Sequence, residues 1–431
     1  MRRHHPYGIL ALACALAIAL PGRPAAAAGP LVEKYLLDGN LSDGAAALQA
    51  RLNEGPGDDQ ARFGLGVLQF LQAFEHCGGN LYKYGLRTHK GFLRPPPQLK
   101  EFFPQHPNPE KLTYAAARQM LQSFLDDLVK AEATLAAVKD EAVKLPLHVG
   151  RIKIDPFGTG KPISAAFLFE RMEASAEQRK LSENLVIGFD RGDVSWLRGY
   201  CHFLAGLCEL LLAVDGQQAF ECGAHLLFEK VETPHTFLLE DRYNFPEGDN
   251  HQGWPWPPDE ARNRLIADAI SFLHRLTRLP LQEPARTTAA LAHLEAGLGQ
   301  AKEMWKFILA ETDDDNEWIP NPRQKGVLGI KVTQQMVDTW LETLDEADQL
   351  LKGKKLLPFW RGKKGERGIN LRRVFTEPRT FEPIQWVQGT SATPYLEKGT
   401  LTKFADAKFA RRLNEAFGGP FNLIGFGFWF N

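Results

Sequence analysis

The chain of 431 residues carries 51 Lys and Arg against 52 Asp and Glu, a formal net charge of −1, and 44% of it is hydrophobic. That near balance supplies no basic field for nucleic acid and no polybasic stretch for anionic lipid. The length suffices for a large core divided over two or three domains. Residues 1–28 read as a cleaved secretory signal. Arg2 and Arg3 precede the uncharged apolar run Gly8 to Leu20, and Pro21 and the small residues Ala25 to Ala28 follow it. The run is shorter than the roughly 20 residues a bilayer core requires, so it is not read as an anchor, and no later segment is apolar enough to span. Cleavage after Ala28 would remove Arg2, Arg3 and Arg23, take the formal charge from −1 to −4 and leave a periplasmic or secreted protein beginning near Gly29.

From Leu31 to about Phe74 the apolar residues recur at helical spacing. Leu41, Ala45, Leu48 and Leu52 line one face, Ala61, Leu65, Leu68 and Leu71 the next, and Gly55 to Asp59 breaks the run between them. Gly39, Gly44, Leu48, Leu52, Pro56, Ala61, Leu65 and Gly66 follow the spacing of a tetratricopeptide repeat, which residues 35–74 resemble. The resemblance implies a helix-pair scaffold with no chemistry of its own, presenting a groove to an envelope protein or peptide.

The hairpin region, 29–86, gives way to a linker over 87–110 marked by Pro95 to Pro97, Pro104, Pro107 and Pro109. A helical domain is expected over 111–355. Its helices are read at about Thr113 to Val143, Asp193 to Val214, Gln217 to Glu229, Pro258 to Arg278, Pro284 to Thr312 and Thr333 to Leu351, with a β-like stretch at Leu147 to Ile154. Short turns between such helices favour antiparallel pairs. In the last region, 356–431, the segments Gly368 to Phe375, Ile384 to Gln388 and Asn422 to Phe430 are rich in β-branched and aromatic residues and separated by Gly and Pro. They predict two or three strands. The fold class is therefore mainly α, antiparallel helix pairs with a small β-containing C-terminal cap.

Candidate sites are few. Gly158-Thr159-Gly160-Lys161 lacks the spacing of a phosphate loop, and Pro162 stands where Ser or Thr should hold magnesium. The same segment is similar to an EF-hand calcium loop, with Asp155, Gly160 and Lys161 at positions one, six and seven, but Phe157, Thr159 and Ala166 replace the ligands of positions three, five and twelve. The acidic turn Asp313 to Glu317 is the better candidate. Four acidic residues follow directly on a helix C-terminus, where the helix dipole opposes them, so Asp313, Asp315 and Glu317 either face a divalent cation or a basic partner segment or form a solvated turn paired with Arg323 and Lys325. A long loop over Arg242 to Pro258 carries Asp249, His251, Trp254 and Trp256 and suits either a lid or binding loop or a segment whose two tryptophans fold back to plug the helical core.

No zinc-protease, Gly-x-Ser-x-Gly, Ser-x-x-Lys or Cys-x-x-Cys motif is present, which argues against an enzyme. Cys208 and Cys222 lie symmetrically about Asp215-Gly216, so an antiparallel hairpin would bring them level, as a disulfide or as two buried thiols. The expected function is an exported scaffold or binding protein acting through protein or ligand contacts. The alternative is an envelope enzyme or cation-binding protein using the Asp313 to Glu317 carboxylates, with a divalent cation as the one cofactor foreseen.

Overall fold

A computed structural model describes residues 29–88, 102–164, 166–167, 183–240, 259–327, 329–361 and 367–430. Residues 1–28, read above as a signal, and Asp249, His251, Trp254 and Trp256 of the expected binding loop lie outside the described residues. The protein is mainly helical, with small antiparallel sheets. Among the described residues, no helix is long and apolar enough to cross a membrane.

Helices α1 (Leu31–Asp38), α2 (Leu41–Glu54) and α3 (Asp59–Lys83) open the chain. Asn40 and Asp58 start the second and third by accepting the backbone N–H of Asp43 and Ala61. Helix α4 (Tyr114–Ala136) runs back along α3, the Phe74 and Phe124 rings meeting at one end and Gly66 lying under Leu135 at the other. The linker residues between them that are described are anchored to the chain around Phe228 and Val231 through single bridges from Leu86 and Leu112.

Strand β1 (Leu145–His148) pairs with β4 (Val186–Phe189), and β2 (Lys153–Ile154) pairs with β3 (Ile163–Ser164), both antiparallel. Helix α5 (Arg191–Ala213) leaves β4 directly and lies antiparallel to α4, with Arg198 on Glu132 near one end and Arg118 on the Leu212 carbonyl at the other. Then follow α6 (Gln217–Gly223), α7 (Asp259–Leu276), α8 (Ala285–Ala310) and α9 (Gln334–Leu351). The long α8 is antiparallel to α5. Its first turn reaches Glu209 through Arg286, and its C-terminus arrives beside Asp190.

One apolar core joins Val32, Leu48 and Leu68 to Leu135, Leu145, Val194 and Cys201, so the first helices share their interior with α4, α5 and the β1–β4 pair. A second core gathers Met304 and Trp305 of α8 with Val337 and Trp340 of α9 and the aromatic end of the chain.

The C-terminal region holds a three-stranded sheet, β5 (Leu357–Pro358), β6 (Gly368–Ile369) and β7 (Leu396–Glu397), in the order given. The longer strands expected there are corrected. Only Gly368 and Ile369 of the first are extended, and α10 (Leu371–Thr376) follows because the Asn370 side chain caps the Arg373 N–H. The other two are helices, α11 (Pro383–Gln388) and α13 (Pro420–Phe430), the latter preceded by α12 (Ala407–Phe417). Gly418, at φ 72°, ends α12 in the left-handed conformation and Pro420 opens α13, a stop and start that a strand does not need. In the helix, Phe426, Trp429 and Phe430 recur at i, i+3 and i+4 and form one face against Phe417, Trp340 and Trp305. Aromatic density gave a strand reading, but tertiary packing of that face decides the conformation.

The expected pairing of Cys208 with Cys222 is also corrected. Cys77, Cys201, Cys208 and Cys222 are all free thiols. Helix α6 does not fold back along α5; it packs on α7 and α4. The end of α5 is occupied instead by residues 280–283, where the Asp215 N–H donates to the Pro280 carbonyl and the Gln282 and Glu283 N–H groups donate to the Ala213 carbonyl. Cys208 lies among Leu125, Ala205 and Leu212, and burial, with Cys77 nearby, pushes its thiol up to about 11. Cys201 is 1% exposed and burial raises it further. Since the thiolate is the reactive form, Cys201 and Cys208 should resist a thiol-disulfide reagent in the native protein at pH 8 and react at once in urea. Rapid native labelling of both, located by peptide mapping, contradicts this packing.

Candidate metal centre

The register of β1 on β4 sets Leu145 opposite Phe189, which brings Lys144 and Asp190, the residues just outside the pair, to the same end. Asp190 is the N-cap of α5. Its carboxylate accepts the Gly192 N–H at 2.7 Å, while Asp193 accepts the Asp190 N–H at 3.0 Å, a reciprocal capping box. Both acids are buried.

From the other side comes the C-terminus of α8. Its last carbonyls are closed by the Asn321 side-chain amide, which donates to the Ile308 carbonyl at 2.9 Å, and by Arg323, which donates to the carbonyls of Leu309 and Glu311. Those bonds fold the segment after α8 into a tight loop. Gln324 adds bonds to the Glu311 carboxylate at 3.2 Å and the Asp313 carbonyl at 2.8 Å. The loop lies on β4, where Gly188 donates its N–H to the Asn316 carbonyl. A Cβ on Gly188 would stand 2.3 Å from the Asp315 carbonyl oxygen, so any larger residue there pushes the loop away.

The loop delivers Glu317 to the interior at 2% exposure, with one oxygen bonded to the Asp315 N–H at 3.0 Å. Asp190, Glu311 and Glu317 each place one carboxylate oxygen within 4.8 Å of the others'. One Glu311 oxygen, Oε1, is sealed from solvent and finds no hydrogen-bond donor. A deprotonated Asp190 cannot supply one, so a shared proton, a cation or a bridging water is needed between these two groups. The electrostatics say the same. Burial first, and Asp190 second, push Glu311 up to about 9. Burial pushes Glu317 up to about 7, against the Asp315 N–H bond that lowers it. Asp193 is raised well above the ordinary carboxylate range by burial and by Asp190.

Lys144 is the cation closest to hand. Its ammonium lies 2.9 Å from Asp313 and 3.9 Å from Asp190. It neutralises one charge among the five carboxylates of Asp190, Asp193, Glu311, Asp313 and Glu317.

Of the residues singled out in the sequence, Glu317 is therefore in the cluster and Asp313 stands at its rim, paired with Lys144. Asp315 is exposed and contributes its main chain. Asp190 and Glu311 were missed. Asp190 reads as an ordinary helix cap, and its Asp190-x-x-Asp193 spacing is the single trace of it in the sequence. The Asp155 to Lys161 segment does turn, but its one carboxylate is occupied by the N–H groups of Thr159 and Gly160.

The loop also ends in an aromatic stack. Trp318, next to Glu317, meets Trp196 of α5 edge-on at 5.8 Å and Trp429 of α13 at 6.5 Å. No family model matches this chain, and no curated protein or solved structure matches it either.

Proposed function

We propose that this chain is a binding protein whose site takes one divalent cation between Asp190, Glu311 and Glu317, and that calcium is the ion it suits. The single observation that carries the reading is the convergence of these three carboxylates, each with an oxygen within 4.8 Å of the others', where Glu311 also has an oxygen without a donor. Calcium binds oxygen at about 2.3–2.6 Å, so oxygens on opposite sides of it stand up to about 5 Å apart, whereas magnesium requires about 4.2 Å or less. Oxygens no more than 4.8 Å apart lie inside the calcium span, so calcium needs no contraction of the loop. Asp313 and water are at hand to complete the shell. Export, read from residues 1–28, supports the same choice, since extracellular calcium modules work at dissociation constants of about 10⁻⁴–10⁻³ M. The helix-pair start that resembles a tetratricopeptide repeat supports a scaffold around this site, one that holds an envelope protein or peptide as its partner.

The test is calorimetric titration of the mature protein with calcium, alongside thermal unfolding at up to about 10 mM of the ion, well above that range of constants. One site should fill, and saturation should raise the midpoint by several degrees, as a ligand at about 100-fold its dissociation constant adds about 2.7 kcal/mol. Glu317→Gln should weaken binding at least tenfold, whereas Asp315→Asn should leave it within twofold. The reading fails if calcium neither binds nor shifts the midpoint, or if the two variants behave alike.

A further inference from the structure

About 10 residues further along α5 from Asp190, a cavity of about 520 Å³ opens between α5, α8, α9 and α13. That volume is in the range of about 300–1,000 Å³ typical of small-molecule sites, which recur between packed helices and are mostly apolar with a few placed polar groups. Leu294, Leu298, Trp340, Leu344 and Leu351 give it carbon walls, and Ile424 and Phe428 of α13, both exposed apolar residues, stand at its outer side.

Four side chains with polar atoms line the cavity: Tyr200, Thr343, Trp340, whose indole N–H is buried without a partner, and His293. The first two already have acceptors for their hydroxyl protons. Tyr200 donates to the Phe428 carbonyl, and Thr343 donates to the Thr339 carbonyl at 2.7 Å. His293 differs because it is the end of a polar chain. Arg198 donates to Glu132 at 2.9 Å, His202 Nε2 lies 3.4 Å from the same Glu132 oxygen, and His202 Nδ1 lies 3.1 Å from His293 Nδ1.

The direction of that chain follows from its fixed end. His202, then Arg198, hold the Glu132 carboxyl down at about 2, so it is an acceptor. In mildly basic solution, where an imidazole carries one proton, His202 therefore keeps its hydrogen on Nε2 and offers a lone pair at Nδ1. His293 must then donate from Nδ1, which leaves its Nε2 as a bare acceptor. Nε2 has no hydrogen-bond partner among the described residues. Burial and His202 also lower the His293 pKa, which keeps the ring neutral.

We infer that the cavity between α5, α8, α9 and α13 is a binding site for an uncharged apolar molecule bearing a single hydroxyl, such as a medium-chain aliphatic alcohol, whose O–H donates to His293 Nε2. A carboxylate of the same chain length meets the His293 lone pair and no Lys or Arg side chain in the wall, and is rejected. A plain alkane fits the wall but leaves the acceptor unmet. The inference rests on no property of the carboxylate centre.

The test uses the whole mature protein at pH 8.5 with decanol, decanoate and decane, each competing against a fluorescent apolar probe. Decanol should displace the probe at a concentration at least tenfold lower than decanoate does. His293→Phe, which keeps the wall apolar, should weaken decanol about fivefold to tenfold, the weight of one hydrogen bond, and leave decane unchanged. Ala347→Trp, which fills the cavity from α9, should abolish probe binding while the variant keeps a cooperative melt. If that variant does not fold, His293→Phe alone decides the matter. Equal or better binding of decanoate, no effect of His293→Phe on decanol, or no probe binding by the parent protein overturns the inference.

Discussion

Replacing Glu311 by Gln should make the protein more stable above pH 7 and a poorer binder of calcium. The folded protein holds a proton on Glu311 up to about pH 9, against an ordinary value of 4.5. Between those values the folded state binds a proton that the unfolded chain has released, so stability falls as pH rises. It is fully present below the unfolded value and is lost progressively up to the folded one. Glu317 adds the same trend, from 4.5 up to about 7. Asp193, raised well above the ordinary carboxylate range by burial and by Asp190, pulls in the same direction, so only the part of the slope that Glu311→Gln removes belongs to Glu311. His293, whose pKa is lowered from 6.5, favours stability with rising pH only below that value. Cys201 and Cys208 start from 9.0.

The slope cannot exceed about 1.4 kcal/mol per pH unit for one group, and water reaching a half-buried carboxylate reduces it. Calcium should reverse it, because the ion replaces the proton and binds more tightly as pH rises. Glu311→Gln supplies an amide N–H facing Asp190 and removes the titration. Urea unfolding at pH 7, 8 and 9, with and without calcium, reads each part. A parent slope that survives the substitution shows that another group carries it. Gained stability with lost binding is the signature of a residue kept for its function.

Trp305→Ala should be the most damaging single change in the second core, by about 3–5 kcal/mol. Trp305 is fully buried on α8 and meets Phe430 edge-on at 5.0 Å, beside Trp340 and Met304. Its truncation leaves a void between α8, α9 and α13 that three packed helices cannot collapse. Trp305→Phe should be far milder. The Trp305 indole N–H is buried without a partner, so removing it relieves a desolvated donor and offsets part of the lost area. Equilibrium unfolding in guanidinium separates the two variants. Equal losses would mean that the indole N–H finds a partner in solution.

The helices of the domain were legible because their apolar spacing is regular and their ends are marked. Thr113, Asp190 and Thr333 cap three of them with side-chain oxygens. The C-terminal region was not, since Phe426, Trp429 and Phe430 fit either a strand or a helix face until the residues they pack against are known. The site divides in the same way. Glu317 and Asp313 stand out as charges crowded behind a helix end. Asp190 is over a hundred residues away in sequence and reaches them only through the β1–β4 register and the antiparallel run of α5 on α8. Glu311 sits one residue past its helix, where nothing in the sequence tells a buried acid from a solvated one. The cysteines show the opposite failure, a symmetric spacing about a turn that the chain does not use as a hairpin.

The tryptophan stack gives the centre a spectroscopic voice. Trp318 follows Glu317 in the chain and lies nearly perpendicular to Trp429, at 87°, and at 74° to Trp196. Indoles held this close and this rigidly couple their transitions, and the coupling depends on the angles between them. A displacement of Glu317 toward an arriving ion therefore rotates one chromophore against two fixed ones. Occupancy should be visible in near-ultraviolet circular dichroism without any label.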